Sequence, residues 1–135
     1  MSPAIEFPDL ELWLADYLRA GIPGCTAGRR FPDPKAALSG YWLVVRDDSG
    51  PDLSIVTAAR RAAVTVIGPE SAGYAATRAV AERAASLLRT SPAPGDVSPV
   101  AVCEAVRGPY SLDATGRIEF YLTADLVVVG KSITT

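Results

Sequence analysis

The stretch from Arg117 to Val129 reads R-I-E-F-Y-L-T-A-D-L-V-V-V, and it decides the fold. Apolar side chains occupy every second position along it, and mostly polar ones lie between them. Because successive side chains of a strand point to opposite faces of the sheet, this alternation predicts a strand with one buried face. The buried set is Ile118, Phe120, Leu122, Ala124, Leu126 and Val128, and the outward set includes Tyr121, Thr123 and Asp125.

Three further strands are predicted upstream. Val100–Arg107 also alternates, and the turn Gly108–Gly116 joins it to the last strand as an antiparallel hairpin. An earlier hairpin pairs the apolar run Tyr41–Asp47 with a strand between Leu53 and Ile67, across a turn rich in Asp, Ser, Gly and Pro. The Ala- and Arg-rich middle of that second strand has weak strand propensity, which predicts a bulged, extended or flexible part of a long hairpin arm.

A helix is predicted to precede each hairpin. Asp9 is a suitable N-cap for a helix over Leu10–Ala20, which carries an apolar stripe and ends before Gly21. The second helix is predicted to begin within Gly68–Ser71 and to end near Arg89, with an alanine-rich packing stripe. Gly and Pro punctuate residues 21–40, which predicts an irregular connection.

The fold class predicted is α+β with the order α-β-β-α-β-β. Both helices pack on one face of a four-stranded, largely antiparallel sheet. The chain forms a single domain over residues 1–135, with a core of about residues 7–129 and a loose tail over residues 130–135. The bare face and the two edges of such a sheet favour contact with neighbours, so the pattern predicts a homo-oligomer.

Composition excludes several classes of function. The 135 residues carry a formal charge of −2, which gives no basic footprint for nucleic acid, and they contain no histidine. Without histidine, Ser-His-Asp and Cys-His nucleophiles and HExxH zinc sites are excluded. Cys25 and Cys103 are interpreted as small apolar residues of a reducing cytoplasm, although a bridge between them stays open. No stretch has the length of a membrane span, and the first residues lack the pattern of a signal peptide.

Two local motifs share features with known ligand-binding sites. Gly130-Lys131-Ser132 resembles the end of a phosphate loop, but Asp125 stands where that motif needs its first glycine. The acidic residues Asp47, Asp48 and Asp52 could bind a divalent cation, yet they suit turn chemistry better. We therefore predict no catalytic residue, no metal, no cofactor and no enzyme activity.

The arrangement of motifs resembles a known family. The order of elements, the Gly108-Pro109-Tyr110 turn with Asp113, Gly116 and Arg117, and the final alternating strand are similar to tail terminator proteins of long-tailed bacteriophages. The segment Val64–Gly68, the Ala-rich helix after it and the run Glu104–Tyr110 carry the same resemblance. Together they extend over about residues 7–129.

The resemblance implies a ring, usually a hexamer. Such a ring caps the growing tail tube, stops its polymerisation and provides the docking face for the head connector, while DNA passes through the lumen without specific binding. It implies assembly in the bacterial host cytoplasm and a final place in the virion. Residues 47–61 and 108–116 are assigned to loops or arms at the faces of the ring. The predicted assembly residues are Asp47, Asp48, Asp52, Arg60, Arg61, Tyr110, Asp113, Arg117, Tyr121 and Asp125.

Two alternatives stay open at this stage. One is another ring protein of the phage neck or a head-completion protein, which would differ only in the partner that it binds. The other is a small α+β ligand-binding domain or enzyme, which would need a pocket lined by convergent polar groups.

Overall fold

A computed structural model describes residues 4–93, 98–112 and 116–133. Two helices pack on one face of a five-stranded sheet, and a two-stranded ribbon joins the two ends of the described chain. The fold is therefore α+β, as the sequence predicts. The elements are β1 (Ile5–Glu6), α1 (Leu10–Gly21), β2 (Thr26–Gly28), β3 (Trp42–Asp47), β4 (Thr57–Ile67), α2 (Tyr74–Arg89), β5 (Val100–Leu112), β6 (Glu119–Val129) and β7 (Lys131–Ser132).

The sheet has the strand order β2-β3-β4-β6-β5. The last four strands are antiparallel neighbours and correspond to the two predicted hairpins, but β2 adds a fifth, parallel strand beside β3. The prediction of four strands is wrong on this point. β2 has three residues inside a Gly- and Pro-rich connection, which is too short for its alternation to stand out.

The middle of β4 is continuous strand, so of the bulged, extended or flexible forms predicted for this arm, the structure has the extended one. It pairs with β6 without interruption from Thr57 opposite Val129 to Ile67 opposite Glu119. Residues 48–53 run along its other edge, where the Asp48 amide donates to the Arg61 carbonyl at 2.8 Å. Partners on both sides override the weak strand propensity of the alanines, which also leave room for the helices above.

The helices begin where local chemistry allows. The Asp9 carboxylate accepts from the Leu12 amide at 3.1 Å and caps α1, as its position in the sequence predicts. α2 begins at Tyr74, later than predicted, because Pro69 and the residues after it form a turn in which the Ala72 amide donates to the Pro69 carbonyl. Three alanines of α2 are fully buried, so this helix approaches the sheet closely.

The core lies between the helices and one face of the sheet. Both helices contribute residues to it, and β6 contributes the apolar set that the alternation predicts. Every member of that β6 set from Phe120 to Val128 is buried. The other face of the sheet carries Val44, Thr65 and Tyr121 in one row across β3, β4 and β6.

Both edges of the sheet have features that disfavour pairing with a further strand. β5 is interrupted by three register shifts and contains Pro109. β2, at the opposite edge, is only three residues long. Bulges, proline and short edge strands are the usual means of blocking edge-to-edge pairing, so the predicted role of the edges in assembly is not supported by their geometry.

The end of the described chain is paired. Lys131 and Ser132 form β7 and lie opposite Glu6 and Ile5 of β1. The Ile133 amide also donates to the Ala4 carbonyl at 2.9 Å. The sequence predicts a loose tail for these residues. It does not predict the pairing, because the partner strand β1 lies at the other end of the described chain and leaves no local pattern near β7.

Candidate assembly surface

Part of the face opposite the helices is covered by residues 29–40, here called the strap. The Trp42 indole donates to the Arg30 carbonyl at 2.8 Å, which fixes the strap beside β3. The Arg117 guanidinium donates to the Asp33 carbonyl at 2.9 Å and also to the Ala36 carbonyl, which fixes it beside the start of β6. The strap therefore crosses the sheet from β3 to β6.

Residues beneath the strap are as buried as the core. These residues alternate along their strands with the helix-facing residues, so they lie on the opposite face of the sheet. We call this region the covered half. The predicted bare face is thus only partly bare, because a segment that the sequence marks as irregular supplies its cover. The covered half consists of Val44, Thr65, Ile67 and Glu119, each less than a tenth exposed.

The rest of this face, on β5, β6 and the first part of β4, is open to solvent. Tyr110 is 55% exposed and Val102 is 47% exposed, and the outward residues of β6 are half-buried. We call this region the open half. Its members are Ala59, Arg61, Val102, Ala105, Arg107, Tyr110, Tyr121, Thr123, Asp125 and Val127.

An ion-pair triad crosses the centre of the open half. The Asp125 carboxylate accepts from Arg61 on β4 at 3.0 Å and from Arg107 on β5 through its other oxygen. These hydrogen bonds, from Arg107 first and Arg61 second, hold the pKa of the Asp125 carboxyl below its usual value. A carboxylate kept ionised between two guanidinium groups holds three strands together and is a poor proton acceptor.

A shallow, open cleft of about 680 Å³ surrounds this triad. The turn at Gly50 and Pro51 borders it on one side, and Glu104 borders it on the other. Its arginines already donate to a carboxylate or to backbone carbonyls, so the polar groups of the cleft are largely satisfied within the chain. Such a surface suits contact with another protein better than enclosure of a small molecule.

The structure separates the predicted assembly residues. Arg61, Tyr110, Tyr121 and Asp125 share the open half, and Arg117 instead fastens the strap. Asp47 and Arg60 lie on the helix side of the sheet, where the Arg60 Nε and an Asp47 carboxylate oxygen are 3.9 Å apart and the Arg60 guanidinium lies over the Phe7 ring. Asp48 and Asp52 lie in the turn before β4. Asp113 is outside the described residues.

Arg107 and Val102 belong to the open half but were missed from the sequence. Two bulges between Val100 and Ala105 shift the register of β5 against β6. Alternation counted from Val100 therefore gives the wrong face for Val102. Arg107 keeps the face that alternation gives, but the shifted register brings it opposite Thr123, beside Asp125, and no local signal reveals that shift.

No group of three or more His, Cys, Asp or Glu side chains lies where it could hold a metal ion within residues 4–93, 98–112 and 116–133. Cys25 and Cys103 are both free thiols, and burial raises the pKa of each. In the same described ranges, no helix combines the length and apolar character that crossing a bilayer requires.

No family model matches the chain, and no curated protein matches its sequence.

Proposed function

We propose that this chain is a structural ring protein of a bacteriophage tail, a tail terminator that caps the tail tube. The proposal starts from the resemblance of the sequence motifs described above. It assigns the chain no catalytic turnover, no cofactor and no metal. Its partners would be further copies of itself, the tail tube protein and the head connector, in a virion assembled in the host cytoplasm.

The open half is the observation that carries this proposal. An apolar and aromatic surface around a satisfied ion-pair triad is typical of a protein interface, where charges at the centre need partners before water is excluded. Because the sheet edges are blocked, a neighbouring subunit would pack on this face rather than extend the sheet. The next subunit would then cover the open half, as the strap covers the covered half.

The net charge of −2 is compatible with a lumen that lets DNA pass. A protein that binds the phosphate backbone needs clustered, unpaired Lys and Arg side chains. On the open half, Arg61 and Arg107 are instead paired with Asp125. Placed in the subunit contact, these two arginines would add no free positive charge to the lumen.

Light scattering during size-exclusion chromatography, with and without purified tail tubes, tests the proposal. We expect a ring, six-fold in the simplest case, and end-on decoration of tubes in electron micrographs. Val102→Asp places a charge on the open half and should abolish ring formation. Leu12→Asp is the matched control, since Leu12 is 59% exposed on α1 and should leave the ring intact.

The result that would overturn the proposal is failure of the native chain to decorate tube ends. Binding to the head connector without binding to tubes would instead identify a neck or head-completion ring. A small molecule retained in the 680 Å³ cleft would favour the ligand-binding alternative.

A further inference from the structure

A second apolar surface lies at the end of the sheet where β4 begins and β6 ends. Several of the large hydrophobic residues that the described chain exposes are gathered there, and Ile55 is 73% exposed. Contiguous apolar patches of this kind usually mark sites of protein contact. We call this surface the apolar end, and it consists of Leu53, Ile55, Val56, Val129 and Ile133.

Backbone pairing brings these residues together. The Gly130 amide donates to the Val56 carbonyl at 2.8 Å, and Thr57 lies opposite Val129 in the ladder. Ile133 lies three residues beyond Gly130, after β7, and its amide donates to the Ala4 carbonyl. The patch is thus built from three separate parts of the chain.

The tip that carries Ile55 is held in place by a local network. The Leu53 amide donates to the Thr57 carbonyl at 2.9 Å, and the side-chain oxygens of Ser54 and Thr57 are 2.6 Å apart. The Ser54 hydroxyl also accepts from the Val56 amide at 3.2 Å. Ile55 is therefore presented by an ordered turn, so that little conformational entropy would be lost when it becomes buried.

Two clefts open on the other side of β6 at the same end. The larger has a volume of about 530 Å³ and is lined mainly by apolar groups, including Pro8, Trp13 and Ala101. The smaller, of about 250 Å³, contains Phe7 and shares Val129 with the first. An isoleucine side chain takes up roughly 100 Å³, the volume of three to four water molecules, so either cleft can receive it.

We propose that a second copy of this chain covers the apolar end. In this contact the Ile55 side chain of each copy enters the larger cleft of the other copy, beside Val129 and Ala101. A projecting side chain and a receiving cleft at the same end of one molecule are the elements of a two-fold, self-complementary interface. The residues of this contact are separate from those of the open half, except that Val129 follows Val127 on the same face of β6, and the contact does not rest on the proposed ring.

The charges at the rim agree with this arrangement. Asp52 precedes the tip, and Lys131 is the only charged residue among the described residues that line the larger cleft, whereas Glu6 and Asp9 also line the smaller one. Within the part of the chain that the structure describes, neither side chain has an ion-pair partner. When Ile55 enters the cleft of the other copy, Asp52 approaches Lys131 of that copy, so opposite charges meet at two symmetric places.

Analytical ultracentrifugation of the native chain and two substitutions tests the contact. Ile55→Ser removes the projecting side chain and Ala101→Phe fills the cleft; each should raise the dimer dissociation constant on the order of 100-fold, since each change counts twice in a two-fold contact. Phe31→Ser is the matched control, because Phe31 is 54% exposed on the strap and should leave the constant unchanged. Circular dichroism confirms that each variant is folded.

Charge exchange supplies a second test. Asp52→Lys and Lys131→Asp should each weaken the dimer roughly threefold to tenfold, and the two changes in one chain should restore it. A native chain that is monomeric at millimolar concentration overturns the inference, as does a dimer that tolerates Ile55→Ser. A ring that forms through the open half without end-to-end dimers overturns only this inference, and dimers without decoration of tube ends overturn only the proposed function.

Discussion

The covered and open halves of one sheet face share strands β4 and β6, yet they differ in what lies over them. Ile67 and Val44 are almost completely buried beneath the strap, whereas Tyr110 and Val102 remain about half-exposed. The covered half draws its stabilisation from within the chain, which makes that stabilisation independent of concentration. If a neighbouring subunit covers the open half, stabilisation there must instead rise with protein concentration.

The largest effect should come from removing a buried side chain beneath the strap. Ile67→Ala should lower the free energy of unfolding by about 2–5 kcal/mol, because it leaves a cavity that the sheet cannot close. Urea denaturation measures this loss. The matched change on the open half, Val102→Ala, should cost less than about 0.5 kcal/mol in the monomer. Similar costs at the two positions would contradict the division of the face into halves.

The next effect tests the attachment of the strap. Arg117→Ala removes the guanidinium that donates to the Asp33 and Ala36 carbonyls. We expect a loss of roughly 1–2 kcal/mol, since hydrogen bonds from charged donors are strong but these are partly exposed to water. Hydrogen exchange should show faster exchange of amides in residues 33–37 and unchanged protection in β4.

Arg78→Ala is the control for the strap experiment. Arg78 forms a solvent-exposed pair with Glu82 one turn along α2, and such pairs contribute only a few tenths of a kcal/mol. If Arg117→Ala leaves exchange in the strap as slow as Arg78→Ala does, Arg117 is not what holds the strap.

The sequence predicts the helices and strands of this fold well, but it does not predict that the strap covers part of the sheet. The alternation in β6 identifies both faces of that strand, because burial imposes it residue by residue. β4 is harder to read, since its alanines follow from close helix packing and carry little strand propensity. The strap leaves no periodic signal, because backbone carbonyls make its contacts with Arg117 and any residue type supplies those.

The candidate assembly surface could be predicted only in part for a related reason. Tyr121 and Asp125 follow from the alternation of β6, and Arg61 lies directly opposite Asp125 in the paired strand. Arg107 joins them only because bulges shift β5 against β6. A strand pair without bulges preserves the pattern that reveals its faces, whereas each bulge erases it locally.

The smallest effect concerns the ion-pair triad and its dependence on pH. Asp125→Asn should lower the free energy of unfolding by no more than about 1 kcal/mol near neutral pH, because these charges are partly exposed. The pKa of the native carboxyl lies below its ordinary value of 3.8, so its stabilisation is complete above that value and is lost as the pH falls through the lowered pKa. Melting temperatures of the native chain and Asp125→Asn should therefore converge in acid.

Removing Arg61 and Arg107 together tests whether the lowered pKa of Asp125, and not a general effect of acid, causes this convergence. With Arg61→Gln and Arg107→Gln in one chain, no guanidinium of the triad favours the ionised form of Asp125. Replacing Asp125 by Asn in that background should then change the melting temperature by the same amount at every pH. A difference that still shrinks below pH 4, in this background as in the native chain, would show that the two arginines do not set the acid dependence. Because the triad is the point at which three strands of the open half are joined, that result would also remove the electrostatic contrast between the two halves.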